Sequence, residues 1–509
     1  MSSKTIGPDI KAGLVVFLVA LPLCLGIAMA CNVPLFSGII SGVIGGILVC
    51  TISGARYSVS GPAAGLTSIV ISAIATLGSY EIFLAAVVFA GVIQILLGIL
   101  KAGGLGNYIP NAVIKGMLAG IGIILIIKQI PHLFGYDKDP EGDMEFIQLD
   151  GENSFTELVH MVNFITPGSL LIGIISFLLL IVCGKKLYTT NKVFSNLPAP
   201  LLVVIVGILL TIAFKQSPFL QIDEQHLVSL PVIKDIADLR ANLAFPDFSF
   251  IGNIKFWTVA FTLGLVASIE TLLNIEATDK LDPEKNETNS NRELFAQGAG
   301  NMAAGLLGGL PVTSVIVRSS ANINAGAKTK VSVIIHAFLL LISVLAFPGL
   351  LSLIPNSALA AILIVTGFKL TKIDIFKQQF KSGLEQFLPF IITIIVMLLT
   401  DLLKGVGVGI LVAIFFIIRD NIKHSFETNS NTIDGKLYYL LKLPQHVTFF
   451  NKGFLIRFFE KIEPESKLII DGSINKKINR DSKDVISDFI ITAKQKKIEI
   501  ELIKYTEND

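Results

Sequence analysis

The sequence predicts a polytopic α-helical membrane protein followed by a small α/β domain, on three observations: apolar runs about 20 residues long recur, lysines and carboxylates segregate onto different connections, and the composition changes abruptly after Asn421. Of 509 residues, 52% are hydrophobic and only 16% charged. No water-soluble chain of this length could keep so much apolar surface from water, so its solvent is largely lipid. A hydrocarbon core of ~30 Å is crossed by about 20 helical residues. Such runs lie near 12–31, 34–53, 62–78, 82–100, 111–130, 167–184 and 198–214, and again near 254–275, 293–309, 314–325, 331–347, 357–369, 384–400 and 404–420. The first is a retained span rather than a cleaved leader, because further spans follow at once with no small-residue cleavage site before a polar domain.

The expected total is therefore fourteen spans in two groups of seven, about 8–215 and 250–420, within a membrane domain of 1–425. The third segment of each group is short and opens on punctuation: Ser58 to Gly65 in one, Gly308 to Ser314 in the other. Short Gly/Pro-interrupted segments at matching positions point to an inverted repeat with its site near the midplane. Charge sets the orientation. Between Pro131 and Thr166 stand eight acidic residues and one basic residue, Lys138, whereas Lys185, Lys186 and Lys192 share one connection and Lys369, Lys372, Lys377 and Lys381 another. The lysine-rich connections face the cytoplasm, which places both termini inside a bacterial-type inner membrane. Cys24, Cys31, Cys50 and Cys183 lie in or at the end of apolar segments without ligand spacing and read as packed thiols.

A helix that starts within the bilayer leaves its first N–H groups without carbonyl partners and carries partial positive charge there. An anion is the natural partner. Pro62 suits the first position of one such helix, since it has no N–H to lose, and Thr313 or Ser314 can cap the other. The alternative is that both are ordinary interfacial helix starts. Glu270 lies in an apolar run, with Asn274 one turn later on the same face. An ionisable residue at that depth should face a cavity or a partner. Two roles suit it, a ligand for co-transported Na⁺ or a carrier of H⁺, beside a plain hydrogen bond within the bundle. Arg318, one turn beyond Ser314, either sets the field at an anion site or snorkels to a carboxylate. Lys115 and Lys128 bracket the fifth span as interfacial anchors, and His132 and His336 read as isolated. No P-loop, metal-hydrolase or nucleophile-elbow motif occurs, so neither an enzyme nor an ATP-driven pump is expected. Neither a resident cofactor nor a nucleic-acid partner is expected.

After Asn421, strands are predicted at Leu437 to Leu443, Val447 to Phe450, Lys467 to Asp471 and Ile498 to Ile503. Helices are predicted at Lys452 to Lys461 and Asp484 to Lys496. This makes a small α/β domain over 435–509.

Four ordered motifs resemble the SulP family of sulfate and bicarbonate transporters: DIKAGLVVFLVALP from Asp9 to Pro22, VSGPAAG from Val59 to Gly65, NRELFAQGAGN from Asn291 to Asn301, and GLPVTSVIVRS from Gly309 to Ser319 with NAGAKT from Asn324 to Thr329. The resemblance runs from about residue 8 to the C-terminus. It implies a seven-plus-seven repeat divided into a core and a gate, usually a homodimer, with an inorganic anion held between the third and tenth segments. Its contacts would come from Ala63, Ala64 and the stretch Ser314, Val315, Ile316, Val317 and Arg318, largely through backbone groups. In sodium-coupled members a carboxylate and a threonine one turn later bind Na⁺. Glu270 and Asn274 stand at those places, with Ser314 beside them, so Na⁺ and H⁺ coupling both stay open. Leu23 and Cys24 follow Pro22 where many sulfate carriers have glutamine, and the run LPLCLGIA from Leu21 to Ala28 is similar to bacterial members linked with carbonic anhydrases. That tilts the expected anion towards bicarbonate. The C-terminal domain resembles the STAS module, with Arg480 near the position of a regulatory serine, which points to a scaffold role rather than a phosphorylation switch. Alternatives to coupled transport are an uncoupled exchanger or channel, or a membrane scaffold that recruits a partner.

Overall fold

The computed structural model describes residues 3–140, 146, 151–183, 198–228, 243–423, 426–433 and 436–505. It divides into two compact units, Met1–Ile410 and Leu411–Asp509.

Among the described residues, fourteen main helices fall on the predicted apolar stretches. The first seven are α1 (Ser3–Ala30), α2 (Leu35–Ile52), α3 (Ala64–Leu77), α4 (Tyr80–Ile99), α5 (Asn111–Phe134), α6 (Pro167–Cys183) and α7 (Ala199–Phe214). The others are α8 (Ile254–Leu281), α9 (Ser290–Leu307), α10 (Ile316–Asn324), α11 (Val331–Ala346), α12 (Asn356–Leu370), α13 (Leu384–Leu399) and α14 (Leu402–Lys423). By length and apolarity six of them, α1, α2, α4, α5, α8 and α14, suffice to cross a membrane singly. Ser154–Phe164 and α6, bent by 116°, make a seventh if taken as one span.

Local chemistry sets the boundaries. Asn253 and Asn289 cap α8 and α9 by accepting backbone N–H groups of the first turn. Gly78 and Gly308 end α3 and α9 in the left-handed conformation, with φ of 87° and 85°. Helices from the two halves of the chain then interleave. At Gly91 on α4 and Gly298 on α9 the backbones touch reciprocally, and a Cβ on either would meet the other's carbonyl oxygen at 2.5 or 2.6 Å. Gly122 on α5 and Gly367 on α12 repeat the arrangement, each Cβ meeting the other's carbonyl at 2.7 Å. Close approach through small residues is how helices bind one another where no hydrophobic force separates protein from lipid.

Two three-residue strands join the halves. β1 (Ser60–Pro62) pairs antiparallel with β2 (Val312–Ser314) in the register Ser60 with Ser314, Gly61 with Thr313 and Pro62 with Val312. Pro62 is therefore a strand residue and not the first residue of a helix, as its missing N–H had suggested. α2 carries a π-helical turn, Gly45–Val49, behind β1, where Gly45 lies so close to the Ser60 carbonyl that a Cβ would sit 2.2 Å from it.

The second unit holds a four-stranded sheet in the order β3-β4-β6-β8. β3 (Glu427–Ile433) and β4 (Lys436–Lys442) are antiparallel, while β4, β6 (Lys467–Asp471) and β8 (Glu499–Ile503) run parallel. Helices α15 (Lys452–Glu460) and α16 (Arg480–Gln495) make the crossovers and bury Leu455, Phe459, Ile486 and Phe489 against Leu441, Leu468 and Ile470. Phe459 and Phe489 stack with ring centroids 4.2 Å apart. The predicted strand from Val447 to Phe450 is reduced to β5 (His446–Val447), paired with β7 (Lys477–Ile478), because Thr448 and Asn451 form a capping box that turns Phe449–Asn451 into a 3₁₀ turn. The second helix starts at Arg480 rather than Asp484, since Asn479 caps it. β3, which is exposed along its whole length, was not predicted.

Candidate functional site

The β1–β2 pair aims two helix starts at one place. The chain leaves β1 through Ala63 into a 3₁₀ turn, Ala64–Leu66, that opens α3, and leaves β2 through Val315 into α10. Neither Ala63 nor Val315 offers a side-chain cap. The expectation that Thr313 or Ser314 caps α10 fails because both hydroxyls are engaged elsewhere: Thr313 donates to the Ser314 carbonyl, and Ser314 Oγ lies 2.8 Å from Ser58 Oγ. The first amides of both helices thus lack a carbonyl one turn back and a capping side chain.

Buried side chains hold the strands in place. Asn301 on α9 grips Val312 at both ends, accepting from its N–H at 2.6 Å and donating to its carbonyl at 2.9 Å, while also donating to Gln94 Oε1 at 2.6 Å. Gln297, one turn earlier, donates to Ser60 Oγ at 2.7 Å and Glu293 Oε1 at 2.9 Å. Ser319 Oγ accepts from Val59 N–H at 3.0 Å, and Val315 N–H donates to the Val59 carbonyl at 2.9 Å. Asn274 Nδ2 donates to the Ser314 carbonyl at 2.7 Å. Asp9 accepts from the Lys328 and Thr329 amides and from Thr329 Oγ1. The motifs that carried the resemblance are therefore largely the parts of this clamp.

In front of the helix starts lies a cavity of about 60 Å³. Ala64, Gly65, Val315, Ile316 and Val317 line one side together with Glu270 and Asn274 from α8, while Ile121, Ile124, Met397, Asp401 and Leu402 line the other. One water needs ~10–15 Å³ by this measure, so a small ion fits. Glu270 is 4% exposed; its Oε2 and the Oδ1 of Asn274 have no hydrogen-bond partner among the described residues. Two orphan oxygens one helical turn apart, turned to a cavity, are acceptors in want of a cation or a proton. The same cavity is bordered by amides in want of an acceptor, so anion and cation groups meet within one site.

Arg318 is fully buried, yet it does not line this cavity. Its guanidinium lies behind the strand pair against Gly61, where a Cβ would stand 2.1 Å from Nη1, with Cys24 and His336 close by. No carboxylate pairs with it among the described residues, so the snorkelling alternative does not hold. Its charge reaches the helix starts only through the strands. Asp401 and Met397 lie in the cavity wall and were missed; a lone aspartate between two apolar helices was the available signal. Gly61 and Gly45 were also missed as packing positions, because nothing in the sequence tells which backbones will touch.

Two readings outside the site are corrected. Lys128 is buried rather than interfacial. His132 is not isolated: its Nδ1 lies 2.6 Å from Asp137 Oδ1, and His226 Nδ1 lies 2.6 Å from Asp137 Oδ2. Burial alone would push the Asp137 carboxyl up, but the hydrogen bonds and charge of the two histidines hold it below the ordinary carboxylate range. All four cysteines are buried, and none forms a disulfide among the described residues.

Residues 6–395 match the profile described as the sulfate permease family. The chain is similar to the putative sulfate transporter YvdB of Bacillus subtilis, 27% identical over 81% of this chain and 73% of that one. It is also similar to the bicarbonate transporter BicA of Picosynechococcus, 28% identical over 81% of this chain and 70% of that one. In three dimensions it resembles SLC26A9, with a TM-score of 0.69 at 16% identity over 100% of this chain and 86% of that one. It likewise resembles the transmembrane domain of a cyanobacterial BicA, with a TM-score of 0.55 at 23% identity over 81% of this chain and 98% of that one. The fold is that of a helical membrane transporter.

Proposed function

This chain belongs to the sulfate permease family, and on that premise we propose that it moves a small inorganic oxyanion, bicarbonate or sulfate, across a membrane by secondary active transport. Its relatives are named transporters, and it is not an enzyme. We read the fourteen helices as spans of an inverted repeat in an inner membrane, with both termini cytoplasmic, a STAS-like C-terminal domain and a homodimer as the working unit.

The observation that carries the proposal is the cavity shared by two uncapped helix starts and the Glu270–Asn274 pair. The anion is held by amides of Ala64, Gly65, Ile316 and Val317, which attract it without the fixed charge of a lysine, while the Val315 amide stays bonded to the Val59 carbonyl. Arg318 biases the field from behind. A cation, Na⁺ or H⁺, neutralises Glu270 on the same visit, so that anion and cation each lower the cost of the other's desolvation. Loaded and empty sites then differ by little net charge, which lets the site move between the two faces only when full or empty. The bicarbonate carried in BicA's name and the run from Leu21 to Ala28 favour bicarbonate, and YvdB's name keeps sulfate in play.

The test is uptake of labelled bicarbonate and sulfate by proteoliposomes under imposed Na⁺ and H⁺ gradients in turn. The expected result is accumulation by the native chain that follows one cation gradient, and mere equilibration by Glu270→Gln. Undiminished accumulation by the mutant would remove Glu270 from the coupling.

A further inference from the structure

Five helices enclose a cavity of about 520 Å³ at their ends on the side of the lysine-rich connections. α1 reaches it through Lys11, Val15 and Val19, α6 through its last turn, α7 through its first, and α10 through Ala321, Asn324 and the adjoining Ala325. α12 contributes Ile362, Val365, Thr366 and Lys369. Those four positions are spaced i, i+3, i+4 and i+7, and residues seven apart return to within about 20° of one another, so they form one face. Space remains between the helices because Ala199, Ala321 and Ala325 are small. The cavity shares no residue with the anion cavity, although α10 borders both, with its first turn at one and its last turn at the other.

The lining changes chemistry with depth. α1 enters the membrane on this side and α12 leaves it, so Lys11 and Lys369 stand at the surface end, with Val19 and Ile362 about 10–12 Å deeper at 1.5 Å per residue. The deeper wall is aliphatic, from Val15, Val19, Leu180, Ile181, Ile362 and Val365, and no carboxylate stands in the lining among the described residues. Beside the lining positions, Leu178 and Val182 on α6 and Phe368 on α12 are exposed, so the neighbouring surface is of the kind that faces hydrocarbon. An inorganic anion would meet two lysines but would lose its hydration against an apolar wall. A negative headgroup with an acyl chain beneath it matches both parts, since basic pockets between helices on this side suit anionic lipid headgroups.

We infer that this cavity binds an anionic phospholipid, its phosphate between Lys11 and Lys369 and one acyl chain along Val15, Val19, Ile362 and Val365. Seated there, the lipid braces the last turn of α10, whose first turn borders the anion cavity, against α12. Binding is independent of which anion the chain carries.

The full chain, purified in detergent at low salt, is titrated with dioleoyl phosphatidylglycerol or dioleoyl phosphatidylcholine, and bound lipid is counted by native mass spectrometry of the folded protein. Phosphatidylglycerol should bind about thirtyfold more tightly at one site, and Lys11→Gln or Lys369→Gln should each remove about fivefold of that preference. Lys377→Gln with Lys381→Gln, on the adjacent connection, should leave it intact. Ile181→Trp, at a position exposed enough to accept the larger ring, should fill the apolar part and weaken both lipids. Equal affinity for the two lipids, or a full preference in the Lys11→Gln, Lys369→Gln double variant, overturns the site. Displacement of phosphatidylglycerol by inorganic phosphate beyond that by chloride at equal ionic strength overturns it too, by making this a site for free anions.

Discussion

The two helix starts that meet at the cavity are built from opposite means. At the α3 start the contribution is room: Gly61 leaves space for the Arg318 guanidinium, and Gly65 lies so close to Glu270 that a Cβ would stand 2.9 Å from its carboxylate. At the α10 start the contribution is polar side chains: Arg318 on α10 itself, Asn274 bonded to the Ser314 carbonyl, and Asn301 bonded to Val312 at both ends. One half of the chain supplies bare backbone and the other the groups that press on it. The difference teaches that two helix starts joined by one strand pair need not be chemically alike. Charged side chains on both starts would crowd the cavity, and bare backbone on both would not fix the strands.

The comparison can be broken at its most crowded point. Gly61→Val places carbon where the Arg318 guanidinium lies, and a fully buried charge has nowhere to go. The expected cost is on the order of 3–5 kcal/mol, seen as a large loss of thermal stability in detergent and of transport. A variant that melts and transports like the native chain would show that Arg318 has another resting place. The clamp should respond less. Asn301→Ala strands the Val312 amide and carbonyl and is expected to cost about 2–3 kcal/mol, with Asn301→Asp, which keeps the acceptor alone, recovering only part. If Asn301→Asp melts like the native chain, the donated bonds of Asn301 contribute nothing that matters.

The smallest effect sharpens the contrast with a compensated buried charge. Among the described residues no group of opposite charge pairs with Glu270 or Arg318, whereas Asp137 has two histidines. Because the folded Asp137 carboxyl is held below its ordinary range, its contribution is fully present above the unfolded value of ~3.9 and is lost as pH falls through the folded one. His226→Ala should therefore cost about 1–2 kcal/mol near neutrality and progressively less below pH ~4. A melting-temperature difference between native and variant chains that stays constant from pH 7 to pH 3 would contradict this.

Some of this was legible from residues alone. A carboxylate inside an apolar run announces itself, since hydrocarbon gives it no alternative to a cavity, and Asn274 follows at helical spacing. Helix ends were readable at Gly78, Asn253 and Gly308, where capping is local. β3 was not, because its polar run from Glu427 to Ile433 has no apolar alternation and is a strand only by pairing with β4. Val447 to Phe450 misled for the opposite reason: its apolar residues suit a strand, but the Thr448–Asn451 capping box turns the chain. Arg318 was placed on the correct helix but its surroundings were not legible, because β1, whose Gly61 it packs against, comes from elsewhere in the chain.

By itself, then, the sequence determined where the apolar helices lie, that they need lipid, and that Glu270 and Asn274 form a pair on one of them. Those follow from short-range periodicity and the cost of burying charge. Only the tertiary structure decided that Ser60 pairs with Ser314 across some 250 residues, which glycines admit a neighbour's backbone, and on which side of the strands Arg318 lies. Three-residue strands carry too little local preference to choose a partner, so the pairing is set by the helices that bring them together.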